Sequence, residues 1–153
     1  MYEMVRSRYI QPHVAEDLPK RMVLVAGPRQ VGKTTLARQF LGENGKYFNW
    51  DNREDRRAIL AAEWPVQPAT IVLDEIHKYR FWKRWLKGEF DKHRGRHSFL
   101  VTGSARLDVY RRGGDSLQGR YNLYRLHPFS YAELLVEVPE NMALEFRKFW
   151  HHR

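Results

Sequence analysis

The sequence predicts an α/β fold, a three-layer sandwich around a mostly parallel five-stranded sheet. Three observations carry that expectation. Short apolar runs alternate along the chain with segments of helical period. One run, Ile71-Val72-Leu73, is apolar at consecutive positions, so both faces of the strand are covered, as an inner parallel strand requires. Another, Met22-Val23-Leu24-Val25-Ala26, passes into a glycine-bearing loop and then a helical pattern, the strand-loop-helix order of an α/β unit.

The elements follow in chain order. Residues 1–20, with Pro12 and Pro19, read as an N-terminal arm with a short helix near residues 14–18, packed beside the first strand. Strand one is residues 22–26, and after the loop a helix runs from Thr35 to its stop at Gly42. Residues 47–50 form a short second strand. Asp51 or Asn52 caps a helix over residues 54–63, which Pro65 ends. Residues 69–74 are strand three. A helix over residues 81–92 repeats Trp82, Trp85, Leu86 and Phe90 at three- and four-residue spacing. Such aromatics can stack on nucleic-acid bases, but an apolar stripe of helical period is more often core, which is the favoured reading. Strand four is residues 98–102 and strand five residues 121–126. A last helix starts after Pro128, where Ser130 and Glu133 have the spacing of a capping box. Residues 21–136 are thus the expected core domain, and residues 137–153 a tail.

Composition bounds the function. The 153 residues carry a net charge of +9, with 42% hydrophobic and 14% aromatic content, which suits one folded domain with an anionic partner. DNA is one such partner; a solvated basic surface is the competing reading, because Lys and Arg are spread along the chain. With no cysteine there is no disulfide, thiol nucleophile or thiolate zinc site, which fits a cytoplasmic protein. No signal-peptide core opens the chain and no apolar run approaches the roughly 20 residues that cross a bilayer. His93 and His97 are four apart but separated by Gly95, and His151-His152 lies in the tail, so no histidine metal site is expected.

The chemistry concentrates in Gly27-Pro28-Arg29-Gln30-Val31-Gly32-Lys33-Thr34, followed by Thr35: a glycine, four residues, then Gly-Lys-Thr. Glycines at both ends let consecutive amides turn inward around a phosphate chain, and the start of the following helix favours the same anion. Lys33 supplies a charge to the β and γ phosphates, and the Thr34 hydroxyl is the expected Mg2+ ligand. Asp74-Glu75 ends strand three at the carboxyl edge where open α/β sheets bind ligands. There Asp74 can hold the Mg2+ shell and Glu75 can activate a water. Thr102 and Ser104 end strand four in the same way and are candidate sensors of the γ-phosphate. Residues 113–120 read as a loop leading to Arg120, the candidate transition-state finger in cis or from a neighbouring subunit, with Arg106, Arg111 and Arg112 as competitors.

These stretches, with Leu73-Asp74-Glu75-Ile76-His77-Lys78, Thr102-Gly103-Ser104-Ala105, Ser116-Leu117-Gln118-Gly119-Arg120 and Leu126-His127-Pro128-Phe129-Ser130, resemble a family of prokaryotic AAA-type ATPases over about residues 5–136. The resemblance implies a P-loop core with strand order 5-1-4-3-2 and ATP with Mg2+ as ligands. It implies phosphate and Mg2+ roles for Lys33 and Thr34, the Mg2+ shell for Asp74, catalysis for Glu75 and sensing for Thr102 or Ser104. Members of that family usually continue into a further C-terminal domain, so the tail is expected to begin a missing region, and a homo-oligomer stays open for a longer chain. The expected activity is Mg2+-dependent ATP hydrolysis; the alternative is a nucleotide-gated DNA-binding module with little turnover.

Overall fold

The computed structural model describes residues 7–104, 107 and 117–135. The tail at 137–153 and residues 1–6 of the arm lie outside them, as do Ala105, Arg106, Arg111, Arg112, Ser116 and the histidine pair at 151–152. The elements are α1 (Gln11–Asp17), β1 (Met22–Ala26), α2 (Lys33–Arg38), β2 (Lys46–Asn49), α3 (Arg53–Leu60), β3 (Ala69–Asp74), α4 (Trp82–His93), β4 (His97–Gly103), β5 (Tyr121–Arg125) and α5 (Tyr131–Leu135).

All five strands run parallel in one sheet of order β2-β3-β4-β1-β5. This is the expected order read from the other edge. Parallel pairing of consecutive strands requires crossovers, and the helices between them supply these. Alternate side chains divide the core. Met22, Leu24, Ile71, Leu73 and Phe99 face Ile59 of α3 and Trp82, Leu86 and Phe90 of α4. Val23, Val25, Val72 and Leu100 face Val14 of α1 and Leu36 and Ala37 of α2. Two of the α4 aromatics are therefore core, Trp82 at 7% and Phe90 at 5% exposed, while Trp85 is half-buried against the same cluster.

Local signals explain most boundaries. Pro12 sits in the first turn of α1, where its missing N–H costs nothing. The Asn52 side chain accepts from the amides of Glu54 and Asp55 and so caps α3. At α5 the expected capping box forms reciprocally: the Ser130 amide donates to Glu133 Oε2 at 2.8 Å and the Glu133 amide to Ser130 Oγ at 3.2 Å.

Helix α3 stops at Leu60, short of the expected residue 63, with Ala62 left-handed at φ 51. The cause is Trp64, whose ring packs edge-on against Phe48 and Phe99 and whose indole N–H donates to Glu89 at 2.8 Å. Turning that aromatic inward outweighs another helical turn.

His97 opens β4 as a buried residue, and its Nδ1 accepts the Ala69 amide N–H at 3.2 Å. Burial, then the neighbouring His93 and Arg96, hold its pKa below the ordinary 6.5. A depressed histidine contributes stability above its unfolded pKa and loses it as pH falls through the folded value. The wild-type midpoint of urea unfolding should therefore drop between pH 7 and pH 5. In His97→Asn, whose amide oxygen can accept the same N–H and does not titrate, that part of the drop should vanish. An equal drop in both proteins rejects the assignment.

Candidate functional site

Strand β4 lies between β1 and β3, pairing Thr102 with Val25 on one side and Asp74 on the other. The carboxyl ends of all three strands therefore share one edge, and the loop that leaves β1 faces the acid that ends β3. The Asp74 carboxylate, 7% exposed, accepts three hydroxyls from three elements. Thr102 donates to Oδ1 at 2.8 Å, while Thr34 at 3.2 Å and Tyr47 at 2.5 Å donate to Oδ2.

The loop is built by close approach and by left-handed backbone. Gly27 passes so near the Leu126 carbonyl that a Cβ there would stand 2.3 Å from its oxygen, and Gly32 has φ 95. Arg29 and Gln30 form a turn, and the amides of Gly32, Lys33 and Thr34 have no backbone acceptor among the described residues, so the end of the loop presents donors to an anion. The buried Lys33 ammonium rests on the loop's own carbonyls, donating to Gly27 at 2.9 Å and Pro28 at 2.5 Å. Burial pulls its pKa below the ordinary value while Glu75 and then Asp74 push it back, so the cation senses both acids. Pro28, Arg29, Gln30 and Thr35 are exposed at the rim, and Val31 is buried beneath.

Glu75 leaves β3 in the left-handed region, φ 61, with its amide donating to the Thr102 carbonyl at 2.9 Å. A turn of 3-10 helix, Ile76–Lys78, follows. It brings Lys78 Nζ within 3.3 Å and His77 Nε2 within 3.5 Å of Glu75 Oε2, and Lys78 also reaches Asp51 at 2.6 Å. Ser104 Oγ stands 3.4 Å from the same His77 nitrogen. Burial lowers the His77 pKa, against the pull of Glu75.

The structure thus brings Gly27, Gly32, Lys33, Thr34, Asp74, Glu75, Thr102 and Ser104 to one sheet edge. It does not bring Arg120 there. Arg120 precedes β5, its carbonyl accepts the Met22 amide at the opposite end of β1, and its guanidinium pairs with Asp91 at 2.9 Å. Five strand residues of about 3.3 Å each put it on the order of 15 Å from the loop. A finger acting in cis is incompatible with that placement.

Sequence reasoning missed Tyr47, whose hydroxyl completes the Asp74 cradle and whose ring underlies Arg38 at 4.3 Å. Its pKa is raised by burial and by the hydrogen bond to Asp74. The register of β2 on β3, which sets Asn49 beside Asp74, was the signal that would have found it. Arg8 was missed too, since nothing local marks a residue whose partners lie 23 to 125 positions away.

Oxygen donors from one hydroxyl and one carboxylate at 3.2 Å suit a hard cation such as Mg2+, which takes one or two protein carboxylates and completes its shell with substrate phosphate and water. Among the described residues there is no cluster of three or more His, Asp or Glu that would suit a fully protein-bound metal. A family model described as an AAA domain matches residues 19–135. No curated protein matches the chain.

The Leu126 contact makes position 27 the steric test of the loop. Gly27→Ala should cost about 1–3 kcal/mol of stability through overpacking, read from urea unfolding. A loss below about 0.5 kcal/mol, within the ordinary range for surface changes, means that the loop has room there.

Proposed function

This chain belongs to the AAA domain family, and on that premise we propose that it binds ATP with Mg2+ and hydrolyses it at the edge of the sheet between the Gly27–Thr34 loop and Asp74-Glu75. The supporting observation is the convergence of Lys33, Thr34 and Thr102 on the two adjacent acids.

In this reading the loop amides wrap the phosphate chain, and Lys33 exchanges its loop carbonyls for β and γ phosphate oxygens. Thr34 and Asp74 hold Mg2+, which when bound neutralises charge on the phosphates. Thr102 fixes the Asp74 carboxylate so that one oxygen stays aimed at the Thr34 hydroxyl. Glu75 accepts the proton of the attacking water, with Lys78 and His77 limiting where its carboxylate can swing. Ser104, in contact with His77, is placed to relay whether the γ-phosphate is intact. The alternative, a DNA-binding module, rests on the charge of +9; Trp82 and Phe90 of α4 add nothing to it, because both are buried.

Phosphate release and ATP affinity measured side by side test the assignment. Glu75→Gln should keep wild-type ATP affinity and lose about 10²- to 10⁴-fold in rate, whereas Lys33→Ala should lose both. Equal phosphate release from wild type and Glu75→Gln removes the catalytic role.

A further inference from the structure

Arg8 is 4% exposed and Glu133 6%, and their side chains meet at 3.1 Å across 125 positions of sequence. The guanidinium spends its donors on three segments at once. Nε goes to Glu133 of α5, Nη1 to the Val31 carbonyl of the loop at 2.6 Å, and Nη2 to the His127 carbonyl at 2.5 Å. The ring of Phe129 covers it at 4.0 Å. Glu133 is in turn fixed by the amides of Tyr9 and Ser130. Burial raises its pKa, but those hydrogen bonds and Arg8 outweigh burial and leave it below the ordinary value.

A buried ion pair is weak evidence for stability, since apolar residues of the same volume often do as well. What it supplies here is direction. The Val31–Gly32 peptide is planar and trans, so its C=O and N–H point opposite ways. A donor that holds the Val31 oxygen therefore fixes the Gly32 N–H on the opposite side of that peptide. Arg8 also packs against Gly32 itself: a Cβ there would stand 3.3 Å from Nη1.

We propose that Arg8, held by Glu133, is a positioning residue for nucleotide phosphate: it clamps the Val31 carbonyl so that the Gly32 amide faces the phosphate chain. The clamp rests on the ATP reading above and adds to it a residue from the N-terminal arm. It also makes the loop's donor geometry depend on the β5–α5 connection, through His127 and Glu133.

Lysine at position 8 keeps the charge, but its three donors leave a single nitrogen and cannot reach acceptors spread around a planar guanidinium. The test measures, in the full chain, direct ATP affinity with Mg2+ at 15 °C and the rise in Tm that saturating ATP produces. Arg8→Lys should bind ATP about tenfold more weakly, the scale of one hydrogen bond to a charged group, and show a smaller ATP-induced rise. A merely structural role would lower the ligand-free Tm and leave both readouts as in wild type, which overturns the proposal. Glu133→Gln removes the charge that anchors Arg8 while preserving shape, and should weaken ATP about threefold, on the order of 0.6 kcal/mol; unchanged affinity in that variant also overturns it. Failure of the wild-type chain to bind ATP, while Lys33→Ala behaves identically, rejects the ATP function itself.

Discussion

A carboxylate at the end of a buried strand constrains everything around it. Left without partners, the Asp74 charge would cost several kcal/mol. It is satisfied by hydroxyls that arrive from α2, β2 and β4, so those three elements must converge where β3 ends. The loop does not merely sit near this acid. Thr34 is tied to it, and the position of Thr34 fixes that of the preceding Lys33 and hence of the whole turn back to Gly27.

The sheet order makes that convergence possible. Strand β4 separates the strand that ends in the acid from the strand that feeds the loop. With β4 between them, Thr102 occupies the intervening register position and bridges the gap from below, donating to Asp74 through its side chain and accepting the Glu75 amide through its carbonyl. One residue of an inner strand thus orients both acids.

Strands β1 and β3 were legible residue for residue, because continuous apolar runs bounded by glycine and aspartate admit few alternatives. The glycine loop and the acidic pair were legible because their chemistry demands fixed spacing along the chain. What stayed hidden was long-range. Tyr47 looked like an ordinary strand residue until β2 was set beside β3, and nothing marked Arg8 until the arm met the loop. Arg120 shows the converse: a cation after a glycine, plausible by pattern, is placed at the amino edge by the register of β5 on β1. Helix α3 ended early for a related reason, a tertiary contact of Trp64 that no local proline signal encodes.

The backbone at Glu75 bears on function independently of its carboxylate contacts. A residue with a Cβ at φ 61 costs roughly 1–2 kcal/mol relative to the right-handed region, and glycine would relieve it. The conformation is over-determined: the Glu75 amide is held by Thr102, its carbonyl accepts the Lys78 amide at 3.1 Å, and Ile76 directly after it is fully buried. Since the turn would form more easily with glycine, the backbone conformation gives no reason for glutamate here. A strained position keeps an ionisable side chain at the edge shared by the loop and Asp74, in keeping with the proposed role in water activation, and the Lys78 and His77 contacts hold that side chain there.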